Sequence, residues 1–167
     1  EEHITNLLKA LDQVEAQLLF TYPNADTSGR SIINKITEFA SNLQNATVVI
    51  NAGQQAYLSL LNCADGMVGN SSSGIIEAAS FGLPVVNIGN RQRGRVRSRN
   101  VVDCGYSRNE IVDSIHKILR PEFRRSLFDL ENPYGDGHSA ERIAKRLAEI
   151  EINQQLLMKK FVDCGVN

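Results

Sequence analysis

An α/β fold, a doubly wound parallel sheet in a single domain spanning residues 1–167, is what the sequence predicts, on two observations. Short runs rich in β-branched residues alternate with amphipathic stretches at helical spacing, the pattern of a parallel sheet whose crossovers are helices. A chain of 167 residues, 42% of them hydrophobic, can bury one sizeable core, and no repeat, low-complexity tract or linker divides it.

The elements follow in order. Ile4, Leu7, Leu8 and Leu11 recur at i, i+3, i+4, i+7 and so share one helical face; residues 17–22 form a short β-type run ended by Pro23 and Asn24. Ile32, Ile36, Phe39, Ala40 and Leu43 repeat the stripe before a second β-branched run at 47–50. The alternation continues with a helix over 56–63, a strand over 66–69, a helix over 73–81 and a strand over 84–88. A weaker strand is predicted at 101–103, then a helix carrying Ile111, Val112, Ile115, Ile118 and Leu119, a short helix from Pro121, and a long C-terminal helix after Gly137.

Composition excludes several function classes. With 18 basic and 19 acidic residues the net charge is -1, so no broad field attracts nucleic acid or an anionic membrane. Cys63, Cys104 and Cys164 are odd in number and widely spaced, unlike a zinc site or a disulfide scaffold, which points to a reducing cytoplasm. Apolar runs such as 81–88 fall far short of the ~20 residues that span a bilayer, and no signal-peptide pattern opens the chain. Glu1 enters a helical pattern at once, without Met, so the sequence reads as a fragment or trimmed piece. No cofactor and no metal is expected.

In an open α/β sheet, ligands collect beyond the carboxyl ends of the strands. The polar residues just after the predicted strands are Asn24 and Asp26, Asn51, Asn70 to Ser73, and Asn90 with Arg91. The stretch Gly69-Asn-Ser-Ser-Ser-Gly-Ile-Ile-Glu77 joins a strand to a helix and offers three hydroxyls, Gly74 and free amides at the helix start, a setting suited to an anion. The plainer alternative is a cap, with Ser72 or Ser73 on the helix end and Glu77 completing a capping box.

Arginines stand at alternate positions 91, 93, 95, 97 and 99. Where the segment is extended, a period of two puts their guanidiniums on one side, and the planar fork of arginine suits phosphate. The alternative is a solvated basic loop. Arg91, closest to the strand end, has the best claim to a ligand. No aromatics interleave with the arginines, which argues against nucleic acid. The Tyr22-Pro-Asn-Ala-Asp26 segment taken alone is an ordinary turn. His3, His116 and His138 lack a placed partner for acid-base work.

Three segments in order, Tyr22-Pro-Asn24, Gly69-Asn-Ser-Ser-Ser-Gly-Ile-Ile-Glu77 and Asn87-Ile-Gly-Asn-Arg-Gln-Arg-Gly-Arg95, closely resemble the hydrolysing UDP-N-acetylglucosamine 2-epimerases of sialic-acid biosynthesis. Asn132-Pro-Tyr-Gly-Asp-Gly137 is similar to the turn before that family's terminal helix.

The resemblance implies a Rossmann-like domain, the C-terminal half of a glycosyltransferase-B-type pair with a UDP-sugar in the cleft. It implies that Ser71 and Ser72 contact the UDP phosphates, Asn24 the phosphate region and Glu77 the ribose hydroxyls, with Arg91 completing the pocket. Ser73, Gly74 and Arg95 lie beside these positions. The catalytic carboxylates it implies belong to an N-terminal domain with no counterpart here, so no catalytic residue is assigned; the first strand it implies for the C-terminal domain itself would precede Glu1. A parent enzyme of this kind converts UDP-N-acetylglucosamine to N-acetylmannosamine and UDP.

The rival readings are the donor-binding half of a UDP-dependent glycosyltransferase, a non-hydrolysing epimerase half, and a stand-alone module. UDP or UDP-N-acetylglucosamine is the expected partner, with a homodimer covering exposed sheet edges.

Overall fold

The structure, a computed structural model, describes residues 2–23 and 29–158. Its chain divides into two compact units, Glu1–Tyr134 and Gly135–Asn167.

The first unit alternates helix and strand as predicted. Helix α1 (Glu2–Leu11) buries Leu8, Ala10 and Leu11 and leads to β1 (Leu18–Thr21). Helix α2 (Gly29–Ser41), β2 (Ala46–Val49) and α3 (Gly53–Cys63) follow. Strand β2 ends one residue before the predicted boundary, and Ile50 is 71% exposed beyond it. Then come β3 (Met67–Gly69), α4 (Ser73–Ile76), a 3-10 turn (Ala78–Phe81), β4 (Val85–Ile88) and β5 (Val101–Cys104).

Helix α5 (Arg108–Ile118) starts at a serine cap: the Glu110 amide donates to the Ser107 hydroxyl, which donates in turn to the Glu110 carboxylate at 2.6 Å. Helix α6 (Pro121–Arg125) carries Pro121 in its first turn, where a missing N–H is harmless.

All strand pairs are parallel. Among the described residues they lie in two sheets, β1-β2 and β3-β4-β5, where the sequence predicted one. Side chains rather than a backbone ladder join the pieces. Leu18 and Phe20 of β1 pack on the same buried cluster as Val86 and Ile88 of β4, together with Leu11 of α1 and Ile111 and Ile115 of α5. The opposite face of β4 sends Val85 into a second cluster with Leu61 of α3, Ala78 and Leu83. Every residue of β4 is therefore buried, as a strand covered on both faces must be. One face of β3-β4-β5 carries α3 and α4, the other α1 and α5, which is the doubly wound arrangement.

The second unit holds α7 (Ser139–Glu149) and α8 (Gln154–Leu157), neither with a buried residue. The long C-terminal helix predicted after Gly137 thus ends at Glu149. Asn153 caps the short helix after it by accepting from the Leu156 amide.

Candidate functional site

Two loops meet at the carboxyl ends of β3 and β4. The first, residues 70–73, leaves β3 and enters α4. The helix predicted over 73–81 is broken: α4 has four residues, Glu77 follows it, and the chain tightens into the 3-10 turn closed by Gly82 in the left-handed region. One turn aligns few peptide dipoles, so the helix dipole adds little to what the amides and hydroxyls could offer an anion.

The capping alternative fails in its details. Ser72 occupies the cap position in helical conformation (φ -62, ψ -25) and its side chain makes no capping bond. The Ser71 hydroxyl accepts from the Ser73 amide at 3.3 Å, while Ser73 accepts from the Tyr57 hydroxyl at 2.7 Å. Ser71 and Ser72 are exposed and Ser73 half-buried. The turn therefore divides its hydroxyls, with Ser73 engaged by α3 and Ser72 facing solvent. Gly74 is buried for packing: a Cβ there would come within 2.9 Å of Val85 Cγ1. Glu77 is exposed at the end of α4.

The second loop, residues 89–97, leaves β4. It is a compact turn and not an extended segment, with the Arg93 amide donating to the Asn90 carbonyl at 2.9 Å and the Arg95 amide to the Gln92 carbonyl at 3.3 Å. The period-of-two argument for the arginines therefore does not hold over 91–95. Tyr106 lies directly across Gly89, whose φ of +75 and lack of a side chain the contact requires. The Tyr106 hydroxyl accepts from the Asn90 amide at 3.3 Å and donates to its side-chain oxygen at 3.2 Å.

The five arginines separate by role. Arg97 bonds Asp103 through Nε at 2.8 Å and reaches the carbonyls of Arg95 and Gln92 with its remaining nitrogens. Arg99 pairs with Asp129. Arg91, Arg93 and Arg95 are exposed, and among the described residues the side chains of Arg93 and Arg95 make no ion pair. Of the residues predicted to bind UDP, Ser71, Ser72, Ser73, Gly74, Glu77, Arg91 and Arg95 sit on these two loops and α4. Asn24, with Asp26, lies outside the described residues.

The sequence reading missed the residues that hold the loops together. Asn87, Gln92 and Asn100 are buried at 1%, 4% and 0% exposure, and Gln92 donates to the Asn70 carbonyl at 2.8 Å. The one available signal was Asn87, a polar residue inside an otherwise apolar strand. A surface depression of 450 Å³ involves Arg97, Arg99, Asp129 and Glu131 but none of the predicted ligand residues. Burial pushes the Cys104 thiol, at the end of β5, above its ordinary value. No helix among the described residues is long and apolar enough to cross a membrane.

The chain is 38% identical over 166 residues to the GDP/UDP-N,N'-diacetylbacillosamine 2-epimerase (hydrolyzing) of Campylobacter jejuni, covering 98% of this chain and 42% of that protein. It is 36% identical over 155 residues to the UDP-N,N'-diacetylbacillosamine 2-epimerase (hydrolyzing) of Legionella pneumophila, covering 92% and 40%. The chain thus spans about two fifths of the length of these curated relatives.

Among solved structures, the Methanocaldococcus jannaschii UDP-GlcNAc 2-epimerase in complex with UDP-GlcNAc and UDP superposes with a TM-score of 0.68 at 16% identity. It is covered to 41% by 88% of this chain, and that likeness establishes the Rossmann-like fold. A profile of the UDP-N-acetylglucosamine 2-epimerase family matches residues 1–148. With that match running through both loops, the chain belongs to the UDP-N-acetylglucosamine 2-epimerase family.

Proposed function

We propose that this chain is a single nucleotide-binding domain, the C-terminal, UDP-binding half of a hydrolysing UDP-N-acetylglucosamine 2-epimerase. The observation that carries the reading is the serine turn brought beside an arginine-bearing loop at the carboxyl end of a parallel sheet, linked by the Gln92 bond to Asn70. Ser71 and Ser72 with neighbouring amides suit the diphosphate, and Arg91 adds charge complementary to it. Glu77, just past α4, can accept hydrogen bonds from a ribose diol. Ser73, Gly74 and Arg95 shape the site around them, and Asn24 completes the phosphate region. The hydrolysing chemistry and a cytoplasmic location go with this reading.

The chain alone does not turn over substrate. The reaction needs a proton moved at the sugar C2 and the anomeric C–O bond cleaved, and half a cleft leaves the sugar in water without carboxylates on its far side. Binding is correspondingly weak.

Calorimetric titration with UDP and UDP-N-acetylglucosamine tests it. The chain binds both, and Ser72→Ala with Arg91→Ala abolishes the heat. A folded chain that takes up neither nucleotide overturns the reading. A second reading, a stand-alone module that pairs with its own copy, draws on the edges of β1 and β3, which have no neighbouring strand among the described residues, and on Leu19, 46% exposed on β1.

A further inference from the structure

Gly69, Asn87 and Asp103 stand side by side in register across β3, β4 and β5. Asn87 is almost fully buried and donates its side-chain amide to Asp103 Oδ1 at 2.6 Å. Asp103 is also held by Arg97 Nε, at 3.1 Å to Oδ1 and 2.8 Å to Oδ2. The remaining Arg97 nitrogens point back at the loop, Nη1 to the Arg95 carbonyl at 2.8 Å and Nη2 to the Gln92 carbonyl at 3.1 Å. That guanidinium is engaged on all three nitrogens, so it braces the loop and does not reach for ligand.

Gln92 is the next link. Its side chain is buried between the exposed Arg91 and Arg93 and donates Nε2 to the Asn70 carbonyl at 2.8 Å, directly before Ser71. Its Oε1 is buried without a partner among the described residues. Rotating the amide would face Oε1 against the Asn70 carbonyl, acceptor on acceptor, so the orientation is fixed. A methionine of similar shape would fill the same space without burying an unpaired oxygen. Packing alone therefore does not account for the glutamine, and its bond to Asn70 does.

We propose that Gln92, braced by the Asn87–Asp103–Arg97 chain, is a positioning residue that sets the arginine loop against the serine turn, so that the two loops hold a nucleoside diphosphate as one rigid site. This rests on the UDP reading above. A diphosphate spans both loops, whereas inorganic phosphate or a nucleoside monophosphate engages one. Loss of the link weakens the spanning ligand selectively, because a displacement well under 1 Å between loops breaks simultaneous contacts without removing any contacting group.

The test compares the full chain with Gln92→Met and Arg97→Lys by 1H–15N spectroscopy and UDP titration. In Gln92→Met the amides of residues 70–73 shift and exchange faster while those of α1 and α5 do not move. Affinity for UDP falls about tenfold, the upper end of what one such intraprotein hydrogen bond contributes by preorganising the site, and that for UMP or phosphate changes by less than about twofold. Arg97→Lys, which touches neither Asn70 nor the serines, moves the same 70–73 amides and keeps the proposal testable should Gln92→Met not fold. Unmoved serine-turn amides in folded variants overturn the link whatever UDP does. Absence of UDP binding by the parent chain, with the amide shifts present, overturns the nucleotide reading and leaves the link standing. Equal losses for UDP and UMP overturn the spanning role.

Discussion

At the scale of single residues, the serine turn shows how one residue type can serve different ends in adjacent positions. The Ser73 hydroxyl is the acceptor for Tyr57, whereas Ser72 makes no capping bond although it stands at the cap position. Replacing a working serine cap with alanine typically costs ~1 kcal/mol; here Ser72→Ala should change stability by less than about 0.5 kcal/mol. Tyr57→Phe strands no charge but removes a half-buried hydrogen bond, and should cost about 1 kcal/mol. Urea denaturation of the two variants checks the contrast, and a Ser72→Ala loss as large as that of Tyr57→Phe would restore the capping role. The sequence put the serines between a strand and a helix, where β3 and α4 hold them, but could not divide their roles, because Tyr57 reaches Ser73 from α3 across 16 positions.

At the scale of elements, most helices and strands were legible from periodicity, and the exceptions have local causes. The helix expected over 73–81 gives way at Glu77 to a 3-10 turn, which Gly82 closes at φ +57 while the Leu83 amide turns back to the Ala78 carbonyl, and this brings the chain straight into β4. The apolar spacing of Ile75, Ala78 and Ala79 fits one long helix and this broken one equally well.

Helix α7 depends on its polar entry. Asp136 accepts from the His138 amide at 3.1 Å and pairs with Arg142 through both carboxylate oxygens. Hydrogen bonding to Arg142, then to the His138 amide, holds the Asp136 carboxyl below its ordinary value of 3.8, and the same pair raises the Arg142 guanidinium. The lowered carboxyl favours the folded entry above pH ~4, the ordinary carboxylate value, and that preference is lost as pH falls through the depressed folded-state value. Helical content of α7, followed by the amide shifts of residues 139–149, should decline on acidification, and Asp136→Asn should remove that acid dependence. An unchanged pH profile in the variant would show that the pair does not govern the helix entry.

At the scale of the whole molecule, the division of the strands into β1-β2 and β3-β4-β5 leaves strand edges without a neighbouring strand among the described residues. Leu19 lies exposed on one of the strands concerned. If two copies cover these edges, light scattering coupled to size exclusion gives a mass that rises from one to two chains across micromolar concentrations, and Leu19→Lys holds it at one. A monomer throughout that range sinks the pairing.

The sequence by itself determined the α/β class, nearly every element and the two loops at the carboxyl ends of β3 and β4, because hydrophobic period and turn chemistry are local properties written into neighbouring residues. The family resemblance was legible for the same reason: its segments are contiguous. Tertiary structure decided what joins those segments. Whether β1 pairs with β3, whether Arg97 meets Asp103 or a phosphate, and whether Gln92 faces solvent or Asn70 depend on residues from separate strands meeting in space. Burial makes those meetings matter, since a buried amide or carboxylate must find its partner wherever the chain has carried it.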